Sequence, residues 1–399
     1  MMDDVTLLAG VPSPEDTPWP PFDPRVLDFL SHLSEELLRQ PETRSGEAAA
    51  GFAFWCRRRR LEGLAQRYVS PLHRLGQGLI FHLAPSNVPA MFAYTLALGL
   101  LAGNANIVRL SSRRAGEEEA LLAVLNSVLD RPEHLAVKGR TALIRYDRNP
   151  EITARFCARC DGRVVWGGDE TVAAVRAMPM PAHGVELCFP DRWSLALFSR
   201  AALSAMGPAQ MAELAHRFYN DTYQMDQNAC SSPQLVLWLN DGGSPDCVQR
   251  WWNAVAAEAA RNYAFGPFQA ACKLERLCLT VMDLPLGTVE RVERFDGNLL
   301  CVADLAQLPQ PLEQLKGGFG LFYQGVIQSL EELLPLLTPK VQTLVCGGVS
   351  PQEVSAWLMK RRAKGIYRVV LPGQALELDT LWDGKDVIGS LSRIIMSAE

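Results

Sequence analysis

The sequence predicts an α/β protein in which parallel sheets are assembled from alternating strands and helices, and three observations lead there. From Leu79 onward, short apolar runs alternate with longer segments of helical spacing; parallel neighbours need crossover connections, so this alternation reads as βαβ units. The chain has 399 residues, enough at roughly 150 per domain for two or three domains that bury cores without staples. Its composition is that of an ordinary globular chain, 48% hydrophobic and 21% charged, with 39 Lys plus Arg against 44 Asp plus Glu. Disulfide scaffolds and intrinsic disorder are thereby excluded.

Taken in order, the elements begin with a polar arm rich in proline (Pro12, Pro14, Pro18, Pro20, Pro21, Pro24), followed by helical spacing through Leu27, Leu30, Leu33, Leu37 and Leu38. Strands are expected at Leu79 to Ala84, Ala105 to Leu110, Ala142 to Tyr146 and Arg163 to Trp166. The helices between and after them are expected at Val88 to Ala102, Arg114 to Leu129, Glu151 to Cys160 and Asp169 to Met178. A strand at Trp193 to Phe198 ends this region. A helix over Ala201 to Tyr219 then leads to the polar segment Met225-Asp226-Gln227-Asn228-Ala229-Cys230-Ser231-Ser232-Pro233 and the strand Leu235 to Leu239. Helices at Asp246 to Arg261 and Pro351 to Arg362 follow. With strands at Leu299 to Ala303, Phe319 to Tyr323, Val341 to Cys346 and Tyr367 to Leu371, they suggest a second α/β domain. No internal repeat or low-complexity tract is present.

Several function classes drop out. Ten cysteines lie without repeated spacing, and Met1-Met2-Asp3-Asp4 lacks the basic, apolar, small-residue order of a signal peptide, so a reducing cytoplasm is the expected setting. Cys157 and Cys160 form a C-x-x-C, but no second pair or His cluster follows at zinc spacing, and no metal is expected. Arg57-Arg58-Arg59-Arg60 is one basic run without basic surroundings; it reads as a solvated helix face and leaves no footprint for nucleic acid. Between Gly76 and Val108 the only charge is one His82 carries when protonated. Pro85, Ser86, Asn87 and Pro89 break that stretch, and the apolar block Met91 to Ala102 is shorter than the about 20 residues of a membrane span.

Three constellations carry chemistry. Arg163 to Trp166 runs through Gly167-Gly168 into Asp169-Glu170, where glycines permit close approach and helix N–H groups suit a phosphate; the alternative is a plain turn with Asp169 as N-cap. Asn87 follows a strand end, where an amide donor projects into the crevice in which α/β sheets bind ligands; the alternative is Asn87 capping its own helix with Pro89 in the first turn. Cys230 sits in a polar loop just before an apolar strand, unlike the other nine cysteines. A thiol there is reachable by substrate and has backbone N–H groups beside it to hold an oxyanion. His82 reads as a core histidine with satisfied nitrogens, or else a general acid; Trp251 and Trp252 read as core, or else the lining of a substrate tunnel.

In this order the constellations resemble the aldehyde dehydrogenase superfamily and, within it, the LuxC-type acyl-CoA reductases. The residues carrying the resemblance are His82-Leu-Ala-Pro-Ser-Asn-Val-Pro89, Gly99-Leu-Leu-Ala-Gly-Asn-Ala-Asn-Ile-Val-Arg109, Gly167-Gly-Asp-Glu170, Phe218-Tyr-Asn-Asp-Thr-Tyr-Gln-Met-Asp-Gln-Asn-Ala-Cys-Ser-Ser-Pro233, Trp382-Asp-Gly384 and Leu391-Ser-Arg393. The long motif around Cys230 is the specific one.

The resemblance implies a Rossmann-like cofactor domain and an α/β catalytic domain with the active site in the cleft between them. The expected division is an arm with helices over 1–75, an NADP(H)-binding domain over 76–200 onto which 372–399 packs back, and a catalytic domain over 201–371. It also implies the reaction, in which Cys230 attacks an acyl thioester and the bound acyl group is reduced to an aldehyde, with Asn87 and the Cys230 N–H on the oxyanion. Pro85, Ser86, Arg109, Ser111, Ser112, Gly167, Gly168 and Asp169 are the expected cofactor contacts. No acid lies between Arg109 and Gly116, and Arg113 and Arg114 are close, which favours NADPH over NADH.

Where hydrolytic relatives carry a Glu-Leu-Gly-Gly motif, this sequence reads Gly184-Val-Glu-Leu-Cys-Phe; Glu186 is retained as a catalytic candidate, although a thioester reductase needs no hydrolytic water. Expected partners are an acyl-CoA or other acyl thioester, an acid-activating synthetase and further copies of the chain. The competing readings are a Cys-dependent acyltransferase or thioesterase, and a nucleotide-binding protein without catalysis.

Overall fold

The apolar runs after Leu79 pair side by side as their lack of alternation requires, since strands covered on both faces are apolar throughout. In the computed structural model, which describes residues 4–69, 72–85, 87–112 and 116–396, the chain divides into two units, Met1–Asp191 with Leu378–Glu399, and Arg192–Glu377. The sheet of the first unit runs Thr6–Gly10, Thr141–Arg145, Ala105–Leu110, Leu79–Leu83, Gly162–Trp166, Val185–Phe189. The last five strands are mutually parallel; Thr6–Gly10 pairs antiparallel on the edge. Numbered in chain order, the parallel strands stand 3-2-1-4-5, the dinucleotide-binding order, and the order reverses between Leu79–Leu83 and Gly162–Trp166.

The helices Met91–Leu101, Gly116–Leu129, Pro150–Arg159 and Asp169–Arg176 follow these strands. Every residue of Met91–Leu101 is buried, which explains the membrane-like composition of the stretch. No helix among the described residues is long and apolar enough to cross a membrane. Asn149 caps Pro150–Arg159 by accepting the N–H groups of Glu151 and Ile152, with Pro150 in the first turn.

The arm is more than a lead-in to the helix Pro24–Arg39. Thr6–Gly10 covers the outer edge of Thr141–Arg145, and Trp19 lies between two guanidiniums, Arg25 at 3.6 Å and Arg140 at 4.2 Å from its ring centroid. The tail returns to the same unit, where Ser392–Ile395 pairs with His73–Gly76.

The second sheet runs Val289–Phe295, Leu300–Leu305, Leu321–Ile327, Pro233–Leu239, Trp193–Ser199, Val341–Gly347, Arg368–Val370, all parallel except the first pair. Trp193–Ser199, which the alternation groups with the preceding region, is thus an inner strand of this sheet. The helix expected over Ala201 to Tyr219 is two, Arg200–Ala205 and Pro208–Thr222: Pro208 opens the second and its ring cannot continue the first. Trp251 and Trp252 are fully buried in an aromatic core with Phe198, Phe218 and Phe322, so they serve packing.

Candidate functional site

Two groups of residues stand out, one in each unit. In the first unit, parallel strands place all their carboxyl ends on one edge of the sheet. Pro85 and Asn87 follow Leu79–Leu83, Arg109, Ser111 and Ser112 close Ala105–Leu110, and Gly167, Gly168 and Asp169 follow Gly162–Trp166. The glycine pair and the Asn87 turn therefore flank the point where strand order reverses, the place where such sheets bind nucleotides. Ser86, Arg113 and Arg114 lie outside the described residues.

The helix after the Asn87 turn begins at Met91 with Ala90 as N-cap, so neither the capping reading of Asn87 nor a first-turn role for Pro89 holds; Asn87 is exposed. Likewise Gly168, not Asp169, is the N-cap of Asp169–Arg176, and Asp169 is an exposed first-turn acid. A Cβ at Gly168 would meet the Asp191 carboxylate at 3.3 Å, and one at Gly167 the Thr171 side chain at 3.1 Å, so a larger residue at either position would crowd this turn. Arg109 is half-buried, donates from Nη2 to the Tyr146 carbonyl (3.1 Å) and lies 5.2 Å from that ring's centroid. The structure adds a buried cation that sequence reasoning missed. Arg145 donates to the Ser111 carbonyl (2.9 Å) and pairs with Glu118 and Glu119, each at 2.8 Å. Two carboxylates thus lie near Ser111 despite the acid-free run, and Arg145 holds both.

In the second unit Cys230 is half-exposed in the turn that enters Pro233–Leu239 at its amino end. The backbone before it is strained. Met225, Asp226 and Gln227 have φ of 53°, 56° and 60°, three successive non-glycine residues in the left-handed region at a cost of about 1–3 kcal/mol each. A dense set of bonds holds them there. The Tyr263 hydroxyl donates to Asp226 Oδ1 (2.6 Å), and burial, then the carboxylate, pushes that phenol's pKa up, so it stays a donor. Gln227 donates to the carbonyls of Pro233 (2.8 Å) and Leu321 (3.2 Å) and accepts from Gly320 N–H (3.2 Å). Phe319 N–H donates to the Asp226 carbonyl (3.0 Å). Arg276 spans the loops, donating to Asn228 Oδ1 (2.8 Å) and to the Gly317 carbonyl (2.6 Å).

Gly318 has φ of +145° and a Cβ there would fall 1.9 Å from Arg276 Nη1, so only glycine lets the guanidinium cross. On the far side, Ser194 Oγ donates to the Cys230 carbonyl (2.7 Å). Tyr263, Arg276 and Ser194 carry no local motif; the signal in the sequence for this support of the Cys230 loop is the glycine density of Lys316-Gly-Gly-Phe-Gly320.

Glu186 is on the edge strand Val185–Phe189, where its carboxylate pairs with Arg163 (2.5 Å) and Arg176 (2.9 Å). His82 is fully buried and satisfied by side chains, through Thr95 Oγ1 at 2.8 Å and Asn106 Oδ1 at 2.9 Å, and burial lowers its pKa to about 4. Cys157 and Cys160 are buried, and their pKa values are raised by burial.

By fold the chain is of the aldehyde dehydrogenase class. It is similar to a variant of the 1-pyrroline-5-carboxylate dehydrogenase of Thermus thermophilus, with a TM-score of 0.64 at 14% identity, over 94% of this chain and 81% of that one. Proline utilization A from Corynebacterium freiburgense gives 0.64 at 14% identity over 97% of this chain and 42% of that one. Lactaldehyde dehydrogenase from Escherichia coli gives 0.60 at 11% identity over 93% and 83%. No curated protein sequence matches. Residues 57–268, more than half of the chain, match the model of the acyl-CoA reductase (LuxC) family, and the chain belongs to that family. It is therefore an oxidoreductase of the aldehyde dehydrogenase type, reducing an acyl group to an aldehyde with a nicotinamide cofactor.

Proposed function

We propose that the chain reduces an acyl thioester, as an acyl-CoA or as an acyl group handed over by a carrier or synthetase, to the aldehyde with NADPH and through a Cys230 acyl-enzyme. The observation that carries this reading is the Cys230 loop, a half-exposed thiol presented by three left-handed residues that hydrogen bonds hold in place. Strain kept at such a position is a mark of a functional site.

The Cys230 thiolate adds to the thioester carbonyl, and the tetrahedral adduct collapses with the C–S bond of the donor broken and the CoA thiolate released. A thiolate suits both directions, being a good nucleophile toward a thioester and a good leaving group afterwards. Bound NADPH supplies a hydride for the second addition. Collapse of that adduct breaks the Cys230 C–S bond, frees the aldehyde and restores the thiolate. Asn87 and the Cys230 N–H hold the oxyanion in both additions, each such donor contributing roughly 3 kcal/mol.

The residues fit the cofactor: a 3-2-1-4-5 sheet with a glycine pair at its reversal point, and Arg109 and Ser112 beside it. Arg145 pairs with both Glu118 and Glu119 and offsets one of their two charges, while Arg109 and the exposed Ser112 remain for a 2′-phosphate, which favours NADPH. Glu186, paired with two guanidiniums, is assigned no proton transfer. A homo-oligomer in the cytoplasm, supplied by an acid-activating synthetase, completes the reading.

The test is intact mass spectrometry after exposure to a panel of acyl-CoAs without cofactor, with NADPH oxidation followed separately. A single acyl adduct, lost together with turnover in Cys230→Ala, supports the reading. Acylation and release with no NADPH consumed identifies an acyltransferase or thioesterase; nucleotide binding with neither identifies a non-catalytic protein. Equal or better efficiency with NADH overturns the cofactor assignment.

A further inference from the structure

Three ligating side chains meet in the first unit on elements that carry none of the residues assigned above. His32 lies on Pro24–Arg39, and Glu133 and His134 belong to the 3-10 turn Pro132–His134 after Gly116–Leu129. Packing sets both elements: Val26, Phe29, Leu30, Leu33 and Leu37 bury the inner face of the helix, and the buried His134 ring stands edge-on to Phe29, centroids 5.5 Å apart at 75°. His32 Nδ1 and His134 Nε2 are 2.9 Å apart, and the ligand atoms of all three residues lie within 4.8 Å of one another.

A hydrogen bond between two neutral imidazoles accounts for one nitrogen of each ring and gives the Glu133 carboxylate no part. A metal ion uses all three. Two nitrogens bound at 2.0–2.1 Å and subtending a tetrahedral angle sit about 3.3 Å apart, so the pair has to open by only about 0.4 Å. The half-buried His32 side chain has room to supply that, and the donor ring has only to move its proton to its other nitrogen. Exposed Glu133 leaves an access path from solvent. The cation beside the cluster, Arg131, is already engaged by Glu36 at 2.6 Å.

We propose that His32, Glu133 and His134 bind a divalent transition metal of the zinc class, with water in the remaining position, and that the ion ties Pro24–Arg39 to the turn Pro132–His134. Two imidazoles and one carboxylate suit zinc, nickel or copper and not the oxygen-seeking magnesium or calcium.

The experiment uses the full-length protein, stripped with a chelator, kept reduced and titrated with Co²⁺ alone, followed by Zn²⁺ competition. One equivalent of Co²⁺ is expected, with a visible spectrum free of thiolate charge transfer and displaced by Zn²⁺. His32→Ala should weaken binding at least about 100-fold and Glu133→Gln about tenfold; both positions are solvent-accessible, so these variants fold where one at buried His134 would disturb the core. Zn²⁺ should raise the melting temperature of the native chain and leave that of His32→Ala unchanged. Absence of binding by the native chain, unchanged affinity in His32→Ala, or a thiolate charge-transfer band placing the metal on cysteines overturns the proposal.

Discussion

Asn87 and His82 lie five residues apart, and their surroundings give them opposite tasks. Asn87 is exposed in a turn, and Asn87→Ala should lower kcat by about 10²–10³-fold, the usual loss for one oxyanion donor. Steady-state kinetics checks this, and an unchanged kcat removes Asn87 from the oxyanion assignment. His82 is fully buried. Its Nε2–H faces Asn106 Oδ1, an acceptor, so its Nδ1 accepts from Thr95 Oγ1, which in turn takes the Trp166 Nε1–H at 3.0 Å. Burial lowers the ring's pKa from 6.5 to about 4. Between those values the unfolded chain binds a proton that the folded chain refuses, so stability is complete above pH 6.5 and declines as pH falls toward 4, by up to about 3 kcal/mol. Asp221 acts in the opposite sense. Burial raises its carboxyl to about 7 while Gly373 and Ala375 N–H groups bond to it, and its contribution, present below pH 4, is lost as pH rises through 7. The prediction is therefore a difference: urea midpoints of the native chain and His82→Gln, measured from pH 7 to pH 4, should converge as pH falls. Parallel curves would show that His82 does not remain neutral in the fold.

At the scale of elements, the loop Met225–Asn228 stores strain that Arg276 and Tyr263 hold in place. Arg276→Met keeps the stem and removes the two hydrogen bonds to Asn228 and Gly317, so kcat should fall at least about tenfold, with faster amide exchange over residues 224–232 and a stability loss of only about 1–2 kcal/mol. Gly318→Ala displaces the same guanidinium, and the double variant should be little worse than either alone; full additivity would show that the two act separately. The sequence revealed this loop but not its support. Asp226 to Pro233 is contiguous and polar before an apolar strand, a pattern visible in one dimension. Arg276, Tyr263 and Gly318 reach it from three other segments, and such contacts leave no periodicity to read. The same holds for edge elements. The central strands are buried along their whole length and showed as apolar runs, whereas Val289–Phe295 has apolar residues at every third position, Val289, Val292 and Phe295, which fits neither a strand nor a helix. On the helix Pro267–Asp283, which the sequence reading does not include, Phe268, Leu274, Leu279 and Met282 are exposed while Lys273 is buried, so residue polarity does not report which face is covered.

At the scale of the whole chain, the two ends are structural parts of the first unit. The tail was legible from its motif residues, and its strand Ser392–Ile395 is joined by the bond from Asn104 Nδ2 to the Leu391 carbonyl at 2.9 Å. The arm was legible only as an extended segment, because its prolines reported conformation and not destination. Its fifth to tenth residues finish the first sheet: Val5 and Ala9 are buried, and Val11 N–H continues the ladder to the Thr141 carbonyl at 2.8 Å. Gly10, with φ of 86°, has a Cβ position 1.9 Å from that same carbonyl, so the approach of arm to sheet depends on glycine there. Deleting residues 1–11 uncovers Thr141–Arg145, a fully buried strand of Thr, Ala, Leu, Ile and Arg, as an open apolar edge that invites pairing with another chain. The truncated protein should melt several degrees lower and form concentration-dependent aggregates by light scattering. Gly10→Val in the full chain should reproduce a milder form of both effects by lifting the strand from the edge. A truncated protein with native melting temperature and native particle size would show that the edge is protected without the arm.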